Sequence, residues 1–207
     1  MKIAIIGSGH IGGGLARAWA RHDHDILFGA RNPADAELQA LCRELGPRVT
    51  AGSVADAAGA DVVVLAMPYG ALEDVLSAVG GLAGKTVIDC TNAVAPGWNL
   101  RFGHTTSSAE ELQRRIPEAH VVKSFNAQGA ENLANPVYGG VAASNFYCGD
   151  DAGAKAKVKA LIEAIGFEAI DAGPLSSARL VEPLMLLWMA SAKAVGSRDI
   201  AFKILRR

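Results

Sequence analysis

Along the 207-residue chain, short unbroken apolar runs rich in β-branched residues alternate with longer stretches whose apolar positions recur at helical spacing. The runs are Ile3–Ile6, Ile26–Phe28, Val62–Leu65, Thr86–Ile88, Val121–Val122, Phe146–Cys148 and Ala169–Ile170, with a weaker one around Arg48–Thr50. Continuous rather than alternating apolarity means that both faces of each strand are covered, the mark of a parallel sheet held between helices. Helices are predicted at Gly13–Arg21, Asp35–Leu45, Leu72–Val79, Ser108–Ile116, Ala152–Ile165 and Ser177–Ala190. The order reads βαβα throughout, so the expected fold is α/β, doubly wound, with a mainly parallel sheet. Ser108 stands three residues before Glu111, a capping-box spacing, and Asp151 precedes a helix whose Val158, Leu161, Ile162 and Ile165 share a face. Pro183 predicts a kink or restart in the last helix. Val94–Gly103 reads as a loop.

Composition narrows the class. Half the residues (50 %) are hydrophobic and 20 % are charged, enough for a substantial core and incompatible with global disorder. With 20 Lys+Arg against 21 Asp+Glu there is no basic excess, so no nucleic-acid partner is expected. The apolar run before Gly7 is only four residues, Ile3–Ile6, too few for a secretion signal, and Leu184–Ala190 is too short to span a membrane. Cys42, Cys90 and Cys148 lack ligand spacing, which points to reduced thiols in a cytoplasmic setting, with no disulfide or metal site. A six-strand core ending near Asn126 leaves 81 residues (207 − 126) that look like continuations of the same sheet. The whole chain, 1–207, is therefore expected to be one domain, with a core at 1–126 and small C-terminal additions at 127–207.

Gly7-Ser8-Gly9-His10-Ile11-Gly12 is a G-x-G-x-x-G placed between a strand and a helix, the context in which it binds a dinucleotide in a Rossmann fold. Gly7 permits the tight turn, Gly9 the close approach of a pyrophosphate, and Gly12 the packing of helix on strand, while free N–H groups at the helix start face the phosphates. About 20 residues on, where an acidic residue would bind a ribose 2′-hydroxyl, the chain reads Ala30-Arg31-Asn32. Arg31 suits a 2′-phosphate, favouring NADP(H) over NAD(H). Met67-Pro68-Tyr69, Thr91-Asn92-Ala93-Val94 and Phe125-Asn126 follow later strands and are expected on the same sheet edge. Asn92 and Asn126 are the candidates for orienting nicotinamide and substrate; the alternative is that each caps its own turn. Asp89 and Lys123 lie inside strand-like segments, where they either pair or point outward, and a structural role is expected. His22 and His24 are expected to face solvent. No G-x-S-x-G elbow or hydrolytic triad is visible.

Gly7–Ala16 (G-S-G-H-I-G-G-G-L-A) and Gly29–Arg31 (G-A-R), together with Cys148-Gly149-Asp150-Asp151 and Asp171–Glu182 (D-A-G-P-L-S-S-A-R-L-V-E), resemble the NADPH-dependent deazaflavin coenzyme (F-420) reductases over nearly the whole chain. Val121–Asn126 is closer to the N-terminal domains of six-transmembrane metalloreductases. The resemblance implies a single Rossmann domain, a homodimer, and NADPH held against a flat redox coenzyme, a deazaflavin or flavin. Gly7, Ser8, Gly9, His10, Ile11 and Gly12, with Ala30, Arg31 and Asn32, would contact the nucleotide, and Met67, Pro68, Tyr69, Asn92, Val94 and Asn126 would complete its site. Ala30 replaces a serine expected there, and Asn126 a histidine, so the acceptor side departs most from the family pattern.

Hydride transfer between stacked rings asks little of side chains, since the cofactors carry the chemistry. The expectation is an NADP(H)-dependent oxidoreductase acting on a small-molecule redox acceptor. The alternatives are a reductase of a small carbonyl or imine and a non-catalytic NADP(H)-binding sensor. Leu180, Leu184, Leu187, Trp188 and Ala190 give the last helix more apolar surface than the sheet needs, which suggests a dimer contact.

Overall fold

A computed structural model describes all 207 residues. Eight strands form one sheet: β1 (Lys2–Ile6), β2 (Asp25–Ala30), β3 (Val49–Ser53), β4 (Val62–Leu65), β5 (Thr86–Asp89), β6 (His120–Ser124), β7 (Ser144–Gly149) and β8 (Glu168–Asp171). Their order across the sheet is β8-β7-β6-β5-β4-β1-β2-β3. The first six are mutually parallel, and the order reverses at β1 and β4, the switch point at which such sheets open a crevice for ligands. Helices α1 (His10–Trp19), α2 (Ala36–Leu45), α3 (Leu72–Val79), α4 (Ser108–Arg115), α5 (Ala152–Ala164), α6 (Ala178–Val181) and α7 (Pro183–Val195) cover the two faces. The two resulting apolar layers meet β1 from opposite sides, with Ile3 and Ile5 in one and Ala4 and Ile6 in the other. This explains the unbroken apolar runs: a strand covered on both faces has no polar side to show.

Four expectations change. The βαβα order breaks after β6, where the chain makes only a short 3₁₀ turn (Ala130–Leu133) and a two-residue ladder before β7. Without a crossover helix β7 returns antiparallel to β6, and β8 then pairs parallel to β7. The capping box of α4 sits one residue earlier than its spacing suggested: Ser107 is the N-cap, accepting from Glu110 N–H and donating to its carboxylate. Val94–Ala95 and Asn99–Leu100 pair as a small hairpin within the expected loop. His24 is half-buried, unlike exposed His22, and burial holds its pKa below the ordinary histidine value.

Other local readings hold. Asp151 caps α5, with Ala154 N–H donating to its carboxylate at 2.6 Å. The last helical stretch restarts at Pro183, which occupies the first turn of α7 where its missing N–H is harmless. Leu180 and Leu187 are exposed at 75 % and 53 %, whereas Trp188 is buried and donates from Nε1 to the Ile200 carbonyl. Trp188 therefore belongs to the interior rather than to an outer apolar face. The three cysteines are buried and free.

Candidate nucleotide and acceptor site

The turn from β1 into α1 is built from glycines with three different duties. Gly7 has φ +108°, and a Cβ there would meet the Ala66 carbonyl oxygen at 2.6 Å. A Cβ on Gly12 would stand 1.8 Å from the Gly7 carbonyl oxygen, so only glycine lets α1 start this close to β1. At Gly9 the same construction meets nothing within 4 Å. Its surface is open, as an approaching pyrophosphate requires. Gly9 is the N-cap of α1 without any side-chain cap, and the first intrahelical bond runs from Gly13 N–H to the Gly9 carbonyl. The N–H groups of His10, Ile11 and Gly12 are left facing outward, an arrangement suited to anions. Gly14 allows a further close approach, of α1 to the 3₁₀ turn: a Cβ there would meet a Leu133 methyl at 2.9 Å.

All the predicted site residues follow the carboxyl ends of parallel strands. Ala30, Arg31 and Asn32 close β2; Arg31 is exposed, and Asn32 is turned toward its own loop, accepting from Ala34 N–H. Met67, Pro68 and Tyr69 follow β4, where Tyr69 meets Phe102 edge-on at 5.9 Å. Val94 opens the small hairpin and is 40 % exposed. Of the predicted set, His10, Ile11, Asn92 and Asn126 line one cleft of about 260 Å³. Ala30, Arg31, Asn32, Met67, Pro68, Tyr69 and Val94 lie outside it, along the same edge.

Asn92 and Asn126 do not cap separate turns. They bond each other: Asn92 Nδ2 donates to the Asn126 carbonyl at 3.0 Å, and Asn126 Nδ2 donates to Asn92 Oδ1 at 3.3 Å and to the Val181 carbonyl at 3.2 Å. Those two acceptors fix the orientation of the Asn126 amide and leave its Oδ1 buried without a partner. A buried acceptor left unpaired is unfavourable unless something else donates to it. Phe125, immediately before it, has φ +57°, a backbone strain of about 1–3 kcal/mol for such a residue, held by an edge-on contact with Trp19 at 5.7 Å. Gln128 also lines the cleft, and its Nε2 is unpaired.

The far wall was not legible in the sequence. Met185, Trp188 and Met189 of α7 face the two asparagines across the cleft. Arg198 closes the rim, 4.8 Å above the Trp188 ring and 2.5 Å from Glu131. Beneath the cleft, Lys123 is fully buried. Its ammonium donates to Asp89 Oδ2 at 2.9 Å, to the Thr91 carbonyl at 2.5 Å and to Ser108 Oγ at 3.4 Å, with Glu182 Oε1 at 3.5 Å. Burial pulls the ammonium pKa down, but the two carboxylates outweigh it and hold Lys123 above the ordinary lysine value. Burial, reinforced by Asp89, raises the Cys90 thiol, which stays protonated. The only sequence signal for this cluster was a lysine and an aspartate inside otherwise apolar strands.

Comparison with known proteins agrees with this geometry. Residues 2–93 match the family described as NADP oxidoreductase, coenzyme F420-dependent. A crystal structure of a candidate F420-dependent NADP reductase from Arthrobacter sp. FB24 superposes with a TM-score of 0.91 at 35 % identity, covering 100 % of both chains. The chain belongs to the coenzyme F420-dependent NADP oxidoreductase family. That membership sets the reaction class, NADP-dependent oxidoreduction. Among curated proteins, the rat (Rattus norvegicus) metalloreductase STEAP3 is 33 % identical over 193 residues, which are 93 % of this chain but 38 % of that protein. The chain thus spans little more than a third of that relative's length. An Aspergillus terreus reductive aminase, solved with NADPH and ethyl-5-oxohexanoate, shares the fold with a TM-score of 0.70 at 22 % identity, over 94 % of this chain and 63 % of that one. No helix is long and apolar enough to cross a membrane.

Proposed function

We propose that the chain, a single NADP-binding domain, transfers a hydride between NADPH and a flat redox acceptor, a deazaflavin, a flavin or a ring of similar shape. The observation that carries this reading is the pairing, on one sheet edge, of an uncapped glycine-lined helix start with a cleft of mixed polarity that Asn126 lines, its buried Oδ1 left without a partner. The N–H groups of His10, Ile11 and Gly12, with Ser8 and Gly9 beside them, would hold the pyrophosphate. Arg31, aided by Asn32, would hold the 2′-phosphate, since a planar multi-donor cation matches that group and no carboxylate stands beside it in sequence to repel it. Met67, Pro68, Tyr69 and Val94 would border the nucleotide toward the cleft. Asn126 Oδ1 would accept from a carboxamide or ring N–H, with Asn92 fixing the amide that carries it.

When bound, NADPH supplies the hydride; this chain's residues orient the two rings and keep water out. The titratable groups lining the cleft are His10, the protonated thiol of Cys90 and Arg198, the last already paired with Glu131. A carbonyl substrate needs a proton delivered to its oxygen, whereas an extended ring spreads the arriving charge over its own atoms. No carboxylate lines the cleft to form an acid–base pair with His10, which favours the flat acceptor. A small imine or carbonyl is the second reading, favoured by the limited volume of the cleft. The exposed Leu180 and Leu187 support a homodimer through the C-terminal segment, and the buried free thiols fit a cytoplasmic protein.

The test is to follow NADPH oxidation at about 340 nm while adding a deazaflavin, FMN, quinones, ferric chelates and a carbonyl and imine panel in turn. Turnover with the ring acceptors alone is expected. Turnover confined to the carbonyls or imines establishes the second reading, and tight NADPH binding with no turnover on any of them makes the protein a sensor. A monomeric mass independent of concentration would remove the homodimer.

A further inference from the structure

The geometry points to Lys123 as a positioning residue: its ammonium ties the loop after β5 to the junction of α6 and α7, and thereby sets the Asn92–Asn126 pair against the α7 wall of the cleft. The inference rests on the proposed reading of that cleft as the nicotinamide and acceptor end of the site.

Lys123 and Asp89 are register partners in adjacent parallel strands, so their side chains leave the same face of the sheet and meet beneath it. From there the ammonium reaches three further segments: the loop at Thr91, the start of α4 at Ser108, and the α6–α7 junction at Glu182. Two of the three contacts are one residue from a cleft amide or its partner. Thr91 precedes Asn92, and Glu182 follows Val181, whose carbonyl accepts from Asn126. A displacement of either segment would therefore move one amide relative to the other.

The charges leave the cluster dependent on its lysine. Two carboxylates face one ammonium. Asp89 is also bonded by Thr91 N–H and Oγ1, and Glu182 by Ser108 N–H, Ser108 Oγ and Ala109 N–H. Both Thr91 donors share one oxygen of Asp89, so an asparagine would still satisfy them, whereas the Ser108 and Ala109 N–H groups sit on different oxygens of Glu182 and a glutamine would keep only one of those two bonds. Two groups span from the loop to the junction: the Lys123 ammonium, and the Asn126 amide above it, which bonds both Asn92 and Val181. A fully buried ionic cluster is a poor source of stability compared with neutral residues of equal volume. Stability alone therefore gives little reason for this one, whereas a fixed spacing across the cleft does.

The decisive variant replaces the whole cluster with neutral groups of similar shape: Lys123→Met with Asp89→Asn and Glu182→Gln. Affinities for NADPH and for 2′,5′-ADP, which lacks the nicotinamide end, are measured by calorimetry, alongside amide exchange over residues 90–94 and 181–189. The triple variant is expected to bind 2′,5′-ADP within about twofold of the wild type, and NADPH roughly three- to tenfold more weakly, as loss of one or two hydrogen bonds implies. Exchange in both segments should quicken. Wild-type NADPH affinity in the triple variant overturns the inference, and so does an equal loss for both ligands, which would mark general damage.

Should the triple variant not fold, Glu182→Gln alone, with the Lys123–Asp89 pair intact, is expected to show the same split at about two- to threefold; no split overturns the inference. Asn126→Ala separates the two levels. If it leaves NADPH affinity unchanged, the reading of the cleft fails and Lys123 loses its role with it. If it weakens NADPH while the cluster variants do not, the positioning role alone fails.

Discussion

Two helix starts lie on the same sheet edge and are treated in opposite ways. At α1, the first three N–H groups have no partner and the surface at Gly9 is empty. At α4 every orphan donor is used: Ser108 and Ala109 donate to Glu182, Glu110 to the Ser107 hydroxyl, and Glu111 to the Ser107 carbonyl. Both starts carry the partial positive charge that favours an anion. One is supplied with a carboxylate from its own chain; the other has none and, on the proposed reading, receives the dinucleotide. A helix N-terminus in this fold is thus an anchor or a receptor according to whether the chain returns an acid to it.

The contrast can be broken from either side. Glu182→Ala strips the acid from α4 and leaves the Ser108 and Ala109 donors buried without an acceptor, so unfolding free energy should drop by about 3–5 kcal/mol, read by denaturant titration. A loss below about 1 kcal/mol would mean that the α4 start does not need its acid. Gly9→Ala should do the reverse. Its methyl meets no atom of the chain, so stability should stay within about 0.5 kcal/mol, while NADPH affinity falls roughly 10- to 100-fold because the pyrophosphate would have to share that space. Unchanged NADPH binding would show that α1 is not a receptor.

Arg31→Ala refines the receptor half. NADPH affinity should fall roughly tenfold, the scale of one charge-assisted bond, with NADH barely affected; equal loss for both would remove the 2′-phosphate role. The smallest effect belongs to the anchored half. Arg179, bonded to Glu110 at 2.6 and 2.9 Å, holds that carboxyl below the ordinary glutamate value. The stabilisation is therefore fully present above about pH 4.3 and is lost as pH falls through the lowered value. Because the pair is partly exposed, Glu110→Gln should remove less than about 1 kcal/mol at neutral pH and nothing at pH values where Glu110 is already protonated.

The receptor half was legible in the sequence and the anchored half was not, for a physical reason. Gly7, Gly9 and Gly12 act through backbone geometry within six residues, so spacing alone exposes them. Lys123, Asp89 and Glu182 meet only after β5 and β6 pair and α6 packs beneath them, and no local pattern brings residues 34 and 59 positions apart into contact. The one hint was charge inside apolar runs. Strand positions were readable from apolarity, but the direction of β7 was not, because it depends on the missing crossover helix after β6 rather than on β7 itself. The α4 cap was misplaced by one residue since Ser107 and Ser108 both precede an acid at capping distance, and only the claim of Glu182 on Ser108 decides between them. Asn92 and Asn126 were found as candidates, yet their mutual bonding was hidden, being a matter of neighbouring strand ends.

Phe125 connects these halves. Its left-handed backbone is held by contact with Trp19, and Trp19 is in turn pinned by its indole N–H to the Leu161 carbonyl of α5. The nucleotide helix, the strand end carrying Asn126 and the C-terminal additions therefore share one strained joint. Loosening any of them would release the others, so heating should not produce a half-active species that still grips the nucleotide: the capacity to bind and the capacity to react would vanish in a single cooperative step.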